Sequence, residues 1–166
     1  MILDIGCGNN KVGGAVGIDI IGPPCTQADI IWNLENYPFP VDSTSVDKIF
    51  CSHYIEHVVD LMKFMNELWR ITKGDAELEF IAPYYTSVRA SCDPTHIRGI
   101  SENTFFYYDR GWRAINKLLH YPIITDFKIV KIDYHIHSDF KDLNSDDLEY
   151  AARHIWNVYE DIRVVL

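Results

Sequence analysis

The opening stretch of the chain constrains its fold more than any other. Ile2-Leu3-Asp4-Ile5 is a short apolar run carrying one acid; it passes into Gly6-Cys7-Gly8-Asn9-Asn10-Lys11, and Val16-Gly17-Ile18-Asp19 is a second apolar run ending on another acid. The first run reads as a buried strand. The glycines read as a turn beneath a ligand, because a residue without Cβ tolerates positive φ and close approach. A carboxylate that ends the second strand can accept two hydrogen bonds from ribose hydroxyls. Only ten residues separate Gly8 from Asp19, with Gly13-Gly14 in their middle, so the crossover helix of an ordinary βαβ unit shrinks to a turn at most. The first strand begins at the first residue, leaving no helix ahead of it in this sequence.

The following segments repeat the alternation. Ala28–Asn33 predicts a third strand, and the prolines of Pro38-Phe39-Pro40 exclude a central strand after it. Asp47–Ser52 predicts a fourth. Val58, Met62, Met65, Leu68, Trp69 and Ile71 recur at helical spacing, with Gly74 as the expected stop, and Glu77–Ala82 predicts a fifth strand. Residues 84–121 form an aromatic-rich insertion, longer than most connections, that reads as a lid or acceptor pocket. Asp126–Ile136 alternates like a half-buried strand. Asn144 or Ser145 caps a helix whose expected face is Leu148, Ala151, Ala152, Ile155 and Tyr159, and Ile162–Leu166 closes the chain as a last strand. We read one domain, residues 1–166, of α/β class, with a parallel sheet whose ligands sit at the carboxyl ends of the strands.

Composition narrows the partners. Fifteen Lys plus Arg against 24 Asp plus Glu leave a net charge of −9, which disfavours a nucleic-acid substrate. Cys7, Cys25, Cys51 and Cys92 are widely spaced, without a C-x-x-C pair, so reduced thiols and a cytoplasmic location are expected. The apolar runs are too short to span a membrane.

A dinucleotide loop needs a third glycine and a helix behind it; here Lys11 stands in that place. A phosphate-binding G-K-[ST] loop is absent as well. What remains, Asp-x-Gly-x-Gly with an acid ending the second strand, resembles the class I S-adenosylmethionine-dependent methyltransferases. Tyr54-Ile55-Glu56-His57-Val58 and Arg70-Ile71-Thr72-Lys73-Gly74 are similar to the segments around the fourth strand and crossover helix of the branch called type 11. The resemblance implies a Rossmann-like sheet, mostly parallel with an antiparallel last strand, here abbreviated at its N-terminal side. It also implies S-adenosylmethionine as cofactor. Asp4 would order the loop and meet the methionine amino group, Gly6, Cys7 and Gly8 would pass beneath the cofactor, and Asp19 with Ile20 would take the ribose. Asn33 and Leu34 would flank adenine, and Ser52 with His53 would close over the methionine portion. Two departures stand out: Asn10 replaces the usual third glycine, and the first crossover helix is missing. The sheet surface left uncovered predicts a homodimer.

For the acceptor side, Asp93-Pro94-Thr95-His96 offers a His beside an Asp, and His96 is the expected general base, with Tyr84 orienting the acceptor. His53-Tyr54-Ile55-Glu56-His57 matches an H-x-x-E-H zinc pattern by spacing, but it falls where the resemblance already places such residues, so no metal is expected. His135 and His137 lack a third ligand and read as surface residues. The expected activity is methyl transfer to a small-molecule or glycan-like acceptor. Two alternatives stay open: a catalytically silent methyltransferase-fold assembly module and, less well supported, a nicotinamide oxidoreductase.

Overall fold

The computed structural model describes residues 1–166. Seven strands form one sheet in the order β3-β2-β1-β4-β5-β7-β6. They are β1 (Ile2–Ile5), β2 (Val16–Asp19), β3 (Ile30–Ile31), β4 (Val46–Ser52), β5 (Thr72–Pro83), β6 (Lys131–Ile136) and β7 (Tyr159–Val165). β1 to β5 pair in parallel, whereas β7 runs antiparallel to both β5 and β6. The five helices are α1 (Leu61–Ile71), α2 (Arg89–Cys92), α3 (Glu102–Phe106), α4 (Arg110–Ile115) and α5 (Ser145–His154).

No helix joins β1 to β2, β2 to β3 or β3 to β4; α1 alone serves as a helical crossover among the parallel strands. α1 forms because apolar residues recur on one face and Asp60 accepts a hydrogen bond from Lys63 N at 3.0 Å, satisfying one of the free amides of the first turn. Its face buries Phe64, Met65, Leu68 and Ile71 completely. The proline-rich loop before β4 is bound to the same helix. Glu67 Oε1 accepts from Phe39 N at 2.5 Å, and Arg70 donates to Val41 O at 2.9 Å. Leu34, Phe39 and Val41 thereby enter the core without a helix to carry them.

The insertion belongs to that core: Tyr84, Ile100, Phe105 and Tyr108 pack in the same buried cluster as β1, β4 and α1. Arg113, only 2 % exposed, fastens the insertion from within by donating to the carbonyls of Tyr107, Ile123 and Thr125. Ile20, Ile21 and Ile31 remain exposed around the short β3 edge, the surface on which the expectation of a homodimer rests.

Several boundaries differ from the sequence reading. Gly74 does not stop α1; the helix ends at Ile71, Thr72 Oγ1 donates back to Leu68 O at 2.9 Å, and β5 starts at once, with a register shift opposite Val46 to Lys48. β6 begins at Lys131, because the preceding extended residues reach β7 only through Val130 N to Val165 O. α5 ends at His154 with only Ala151 buried, and Tyr159 opens β7 instead of extending the helix.

Phe64 joins α1 to the ligand end of the sheet, its ring 5.8 Å from Tyr54 and 6.3 Å from Phe39. Phe64→Ala should therefore lower unfolding free energy by roughly 3–5 kcal/mol, against about 1 kcal/mol for Asp60→Ala. Denaturant midpoints measure both, and equal shifts would contradict this packing.

Candidate functional site

The loop after β1 is shaped by carboxylates. Gly6 and Gly8 adopt φ of +65° and +48°. A Cβ on Gly6 would lie 2.8 Å from the Tyr54 ring, so the residue must be glycine for space as well as for φ. Asp4 Oδ2 accepts from Val12 N at 2.7 Å, Asp19 Oδ2 from Gly8 N at 3.0 Å, and Asp29 Oδ2 from Gly17 N at 2.8 Å and from Lys11 Nζ at 2.7 Å. Asp29 is a residue that sequence reasoning missed. Its signal was its place in the third strand segment, one residue before Ile30.

Two cavities adjoin over this loop. The larger, about 500 Å³, lies between the β1 loop and the ends of β4 and β5, with Asp4, Cys7, Gly8 and Ser52 among its walls. The smaller, about 310 Å³, lies over the end of β2, with Asp19, Ile20, Asn33 and Leu34 in its walls. Gly6 and His53 belong to both, so together they form a cleft that runs from one acid, Asp4, to the other, Asp19. All the residues singled out for the cofactor line this cleft. Phe50, Glu79, Ile81 and Tyr54 line it as well, and the sequence reading did not name them for it; His57, read from the sequence as a helix-start or pocket-wall residue, lines it too.

His53 turns into the cleft from a left-handed backbone, φ 53°, with its amide held by Ile81 O at 2.8 Å. The Glu56 carboxylate, 3.5 Å from its Nδ1, raises the His53 pKa against the opposing effect of burial. Burial also raises the Asp4 carboxyl, partly offset by the Val12 amide and Lys11, and pushes the Cys7 thiol up to about 11, with Asp19 and Asp4 adding to the effect. Neither expected acceptor-side residue lines the cleft. Tyr84 is 7 % exposed, packs among Tyr85, Tyr134 and Tyr159, and donates its hydroxyl to Glu102 at 3.3 Å. His96 stands one layer behind, its ring 4.7 Å from that of His57, with Nδ1 bonded to Ala90 O at 3.1 Å. His135 pairs with Glu160 at 3.0 Å, away from the cleft residues.

A cleft with a carboxylate at each end and no basic cradle suits a cation with a nucleoside at one end and an amino acid at the other. Residues 3–80 match the family model described as a methyltransferase domain. The sheet order is that of the Rossmann-like methyltransferase fold. Over residues 3–80 the chain resembles the S-adenosylmethionine-dependent methyltransferases, a family whose cofactor is S-adenosylmethionine. Solved structures with the same fold include a methyltransferase of Archaeoglobus fulgidus, at TM-score 0.67 and 18 % identity over 99 % of this chain and 84 % of that one. A second, from Mesorhizobium loti, gives TM-score 0.56 and 13 % identity over 99 % and 88 % of the two chains. A third, from Haloferax volcanii and solved in complex with the Trm112 methyltransferase activator, gives TM-score 0.62 and 14 % identity over 99 % and 80 %. No curated protein sequence matches the chain. At such identities the likeness is one of fold. No helix is long and apolar enough to cross a membrane.

Asp19→Ala removes a charged acceptor and should weaken S-adenosylmethionine binding roughly tenfold or more, while Gly6→Ala should abolish it. Calorimetric titration reads both, and full affinity in either variant would refute this placement of the cleft. Alkylation of the native protein at mildly alkaline pH should modify exposed Cys25 and Cys92 and spare Cys7 and Cys51. Rapid labelling of Cys7 would contradict the thiol environment described.

Proposed function

We propose that this protein transfers a methyl group from S-adenosylmethionine to a small-molecule or glycan-like acceptor. The observation that carries the reading is the pair of adjoining cavities between Asp4 and Asp19, with Gly6 and His53 in the walls of both. Bound there, S-adenosylmethionine supplies an electrophilic methyl group next to a positive sulfur. Asp19 fits the ribose hydroxyls, Leu34 and Asn33 the adenine, and Asp4 with Ser52 and His53 the amino-acid portion.

The chain's own part is chiefly alignment and exclusion of water. The loop Asp93–Arg98 is bound over the turn after β4: Ile97 N donates to Glu56 O at 3.1 Å and Arg98 to Val59 O at 2.9 Å. That loop brings His96 behind His57, which supports a reading with the acceptor on the insertion side of His53. The His96 Nδ1 proton is fixed on Ala90 O, which leaves Nε2 able to take a proton from an acceptor hydroxyl or ammonium. Tyr84 acts as a positioning residue through the half-exposed Tyr85, whose ring centroid is 4.8 Å away. Exposed aromatics and a net charge of −9 favour a neutral, sugar-like acceptor over a polyanion.

A methyl-transfer assay across hydroxyl- and amine-bearing acceptors tests the proposal. With an acceptor in hand, His96→Ala should reduce turnover roughly 10²–10⁴-fold with cofactor affinity unchanged. Unaltered turnover would remove His96 from the reaction, and no transfer to any acceptor by a chain that binds the cofactor would favour the silent assembly module.

A further inference from the structure

Glu56 is 1 % exposed, and neither of its carboxylate oxygens receives a hydrogen bond. Enclosing an unpaired carboxylate is strongly unfavourable unless a cation meets it. The groups that approach it are imidazoles: His53 Nδ1 at 3.5 Å and His96 Nε2 at 3.8 Å. His57 completes a group in which one ligand atom each from Glu56, His57 and His96 lies within 4.8 Å of the others.

Hydrogen bonding fixes the tautomers. A carbonyl can only accept, so the bond to Ala90 O puts the His96 proton on Nδ1 and a lone pair on Nε2, facing Glu56. Thr95 Oγ1 gives its one proton to Asp93 Oδ1 at 2.6 Å and so accepts from His57 Nδ1 at 3.0 Å, with the Thr95 carbonyl a further acceptor at 3.3 Å. His57 therefore also keeps its Nε2 lone pair free. The turn that presents these partners is set by Asp93, whose Oδ1 accepts from Thr95 N at 2.8 Å.

The His96 Nε2 lone pair thus faces the buried carboxylate at 3.8 Å, and His53 Nδ1 stands 3.5 Å from it. A protonated imidazole would draw up to the carboxylate to about 2.7–2.9 Å, closer than either histidine comes. Ligand atoms on a zinc ion with bonds near 2.0–2.1 Å stand roughly 3.3 Å apart at tetrahedral angles and about 4.2 Å apart across the ion. Tetrahedral binding would draw His96 and Glu56 together from 3.8 Å by about half an ångström, and the widest pair of the group, up to 4.8 Å apart, by as much as about 1.5 Å.

We propose that Glu56, His57 and His96 form a three-ligand site for a divalent transition metal of the zinc class, with a further position left for water or an acceptor oxygen. The Ala90 carbonyl and the Asp93–Thr95 pair are its outer shell, orienting the two imidazoles. His53, although part of the H-x-x-E-H pattern, lies outside the three-ligand group; His96 from the Asp-Pro-Thr-His turn takes the place that the pattern would give it. The site goes beyond the methyl-transfer reading and limits it in one respect. His96 Nε2 cannot serve as ligand and as base at the same time, so in the metal-loaded protein the base role falls away from His96.

The test is calorimetric titration of zinc into chelator-treated protein, with thermal melts and Co(II) absorption spectra alongside. The expected result is one zinc per chain with roughly micromolar or tighter affinity, a raised melting temperature, and Co(II) bands of nitrogen and oxygen ligation without a thiolate band. Glu56→Gln and His96→Ala should each lower the affinity at least a hundredfold, and Thr95→Val, which changes only the outer shell, roughly ten- to a hundredfold. Thr95→Val and His57→Ala keep the test decisive if a Glu56 variant fails to fold. Absence of zinc binding, a thiolate spectrum, or affinity indifferent to these substitutions would overturn the site. Methyl transfer by a protein that binds no zinc would leave the proposed function standing and this site refuted; specific zinc binding without transfer to any acceptor would do the reverse.

Discussion

Three aspartates hold the β1–β2 connection in place of a helix, and the rest of the site depends on them. In a βαβ unit the crossover helix fixes how the loop leaves the first strand. Here Asp4 accepts the Val12 amide, Asp19 the Gly8 amide, and Asp29 the Gly17 amide together with the Lys11 ammonium. These are charge-assisted bonds between a carboxylate and backbone, each stronger than a neutral hydrogen bond. They link β1, β2 and the segment before β3 at the end of the sheet where the cleft lies. Two of these carboxylates, Asp4 and Asp19, also line the cleft, so the side chains that close the backbone give the cleft its negative character.

The parallel strands show the same economy elsewhere. The β3–β4 connection is a proline-rich loop bound by Glu67 and Arg70 of α1, which carries Leu34 and Phe39 into the core and sets Leu34 at the cleft. Phe64 supports Tyr54, and the Tyr54 ring fills the space that a side chain on Gly6 would need. Core packing and cleft geometry thus meet at Gly6: α1 holds Tyr54, Tyr54 limits residue 6 to glycine, and the glycine loop takes its course along the cleft.

Much of this was legible in the sequence, for reasons that differ from residue to residue. The strand ends could be placed because buried apolar runs stop at acids, glycines and polar residues. The residues at those stops, from Asp4 to His53, do line the cleft. α1 was legible from its periodicity, but its stop was not: Thr72 caps the helix and the chain enters β5 directly, so Gly74 ended nothing. The face proposed for α5 failed because Ile155 lies past the helix and Tyr159 is claimed by pairing with β6. Glu56 shows the deeper limit. That a carboxylate in a His-x-x-Glu-His string is sealed and unpaired depends on a loop some forty residues away folding over it, with Ile97 and Arg98 bonded to the turn after β4. Local spacing carries no record of such long-range closure. Tyr84 and His96 illustrate the same point, since neither lines the cleft although both lie in the insertion that borders it.

The central claim is that the Asp4-to-Asp19 cleft, closed by aspartates and not by a helix, is the S-adenosylmethionine site. A crystal structure with S-adenosylhomocysteine bound tests it most directly. The account predicts the ribose on Asp19, the adenine beside Leu34 and Asn33, and the amino-acid portion between Asp4, Ser52 and His53. A ligand bound elsewhere, or one bound in the cleft without contact to Asp19, would contradict it.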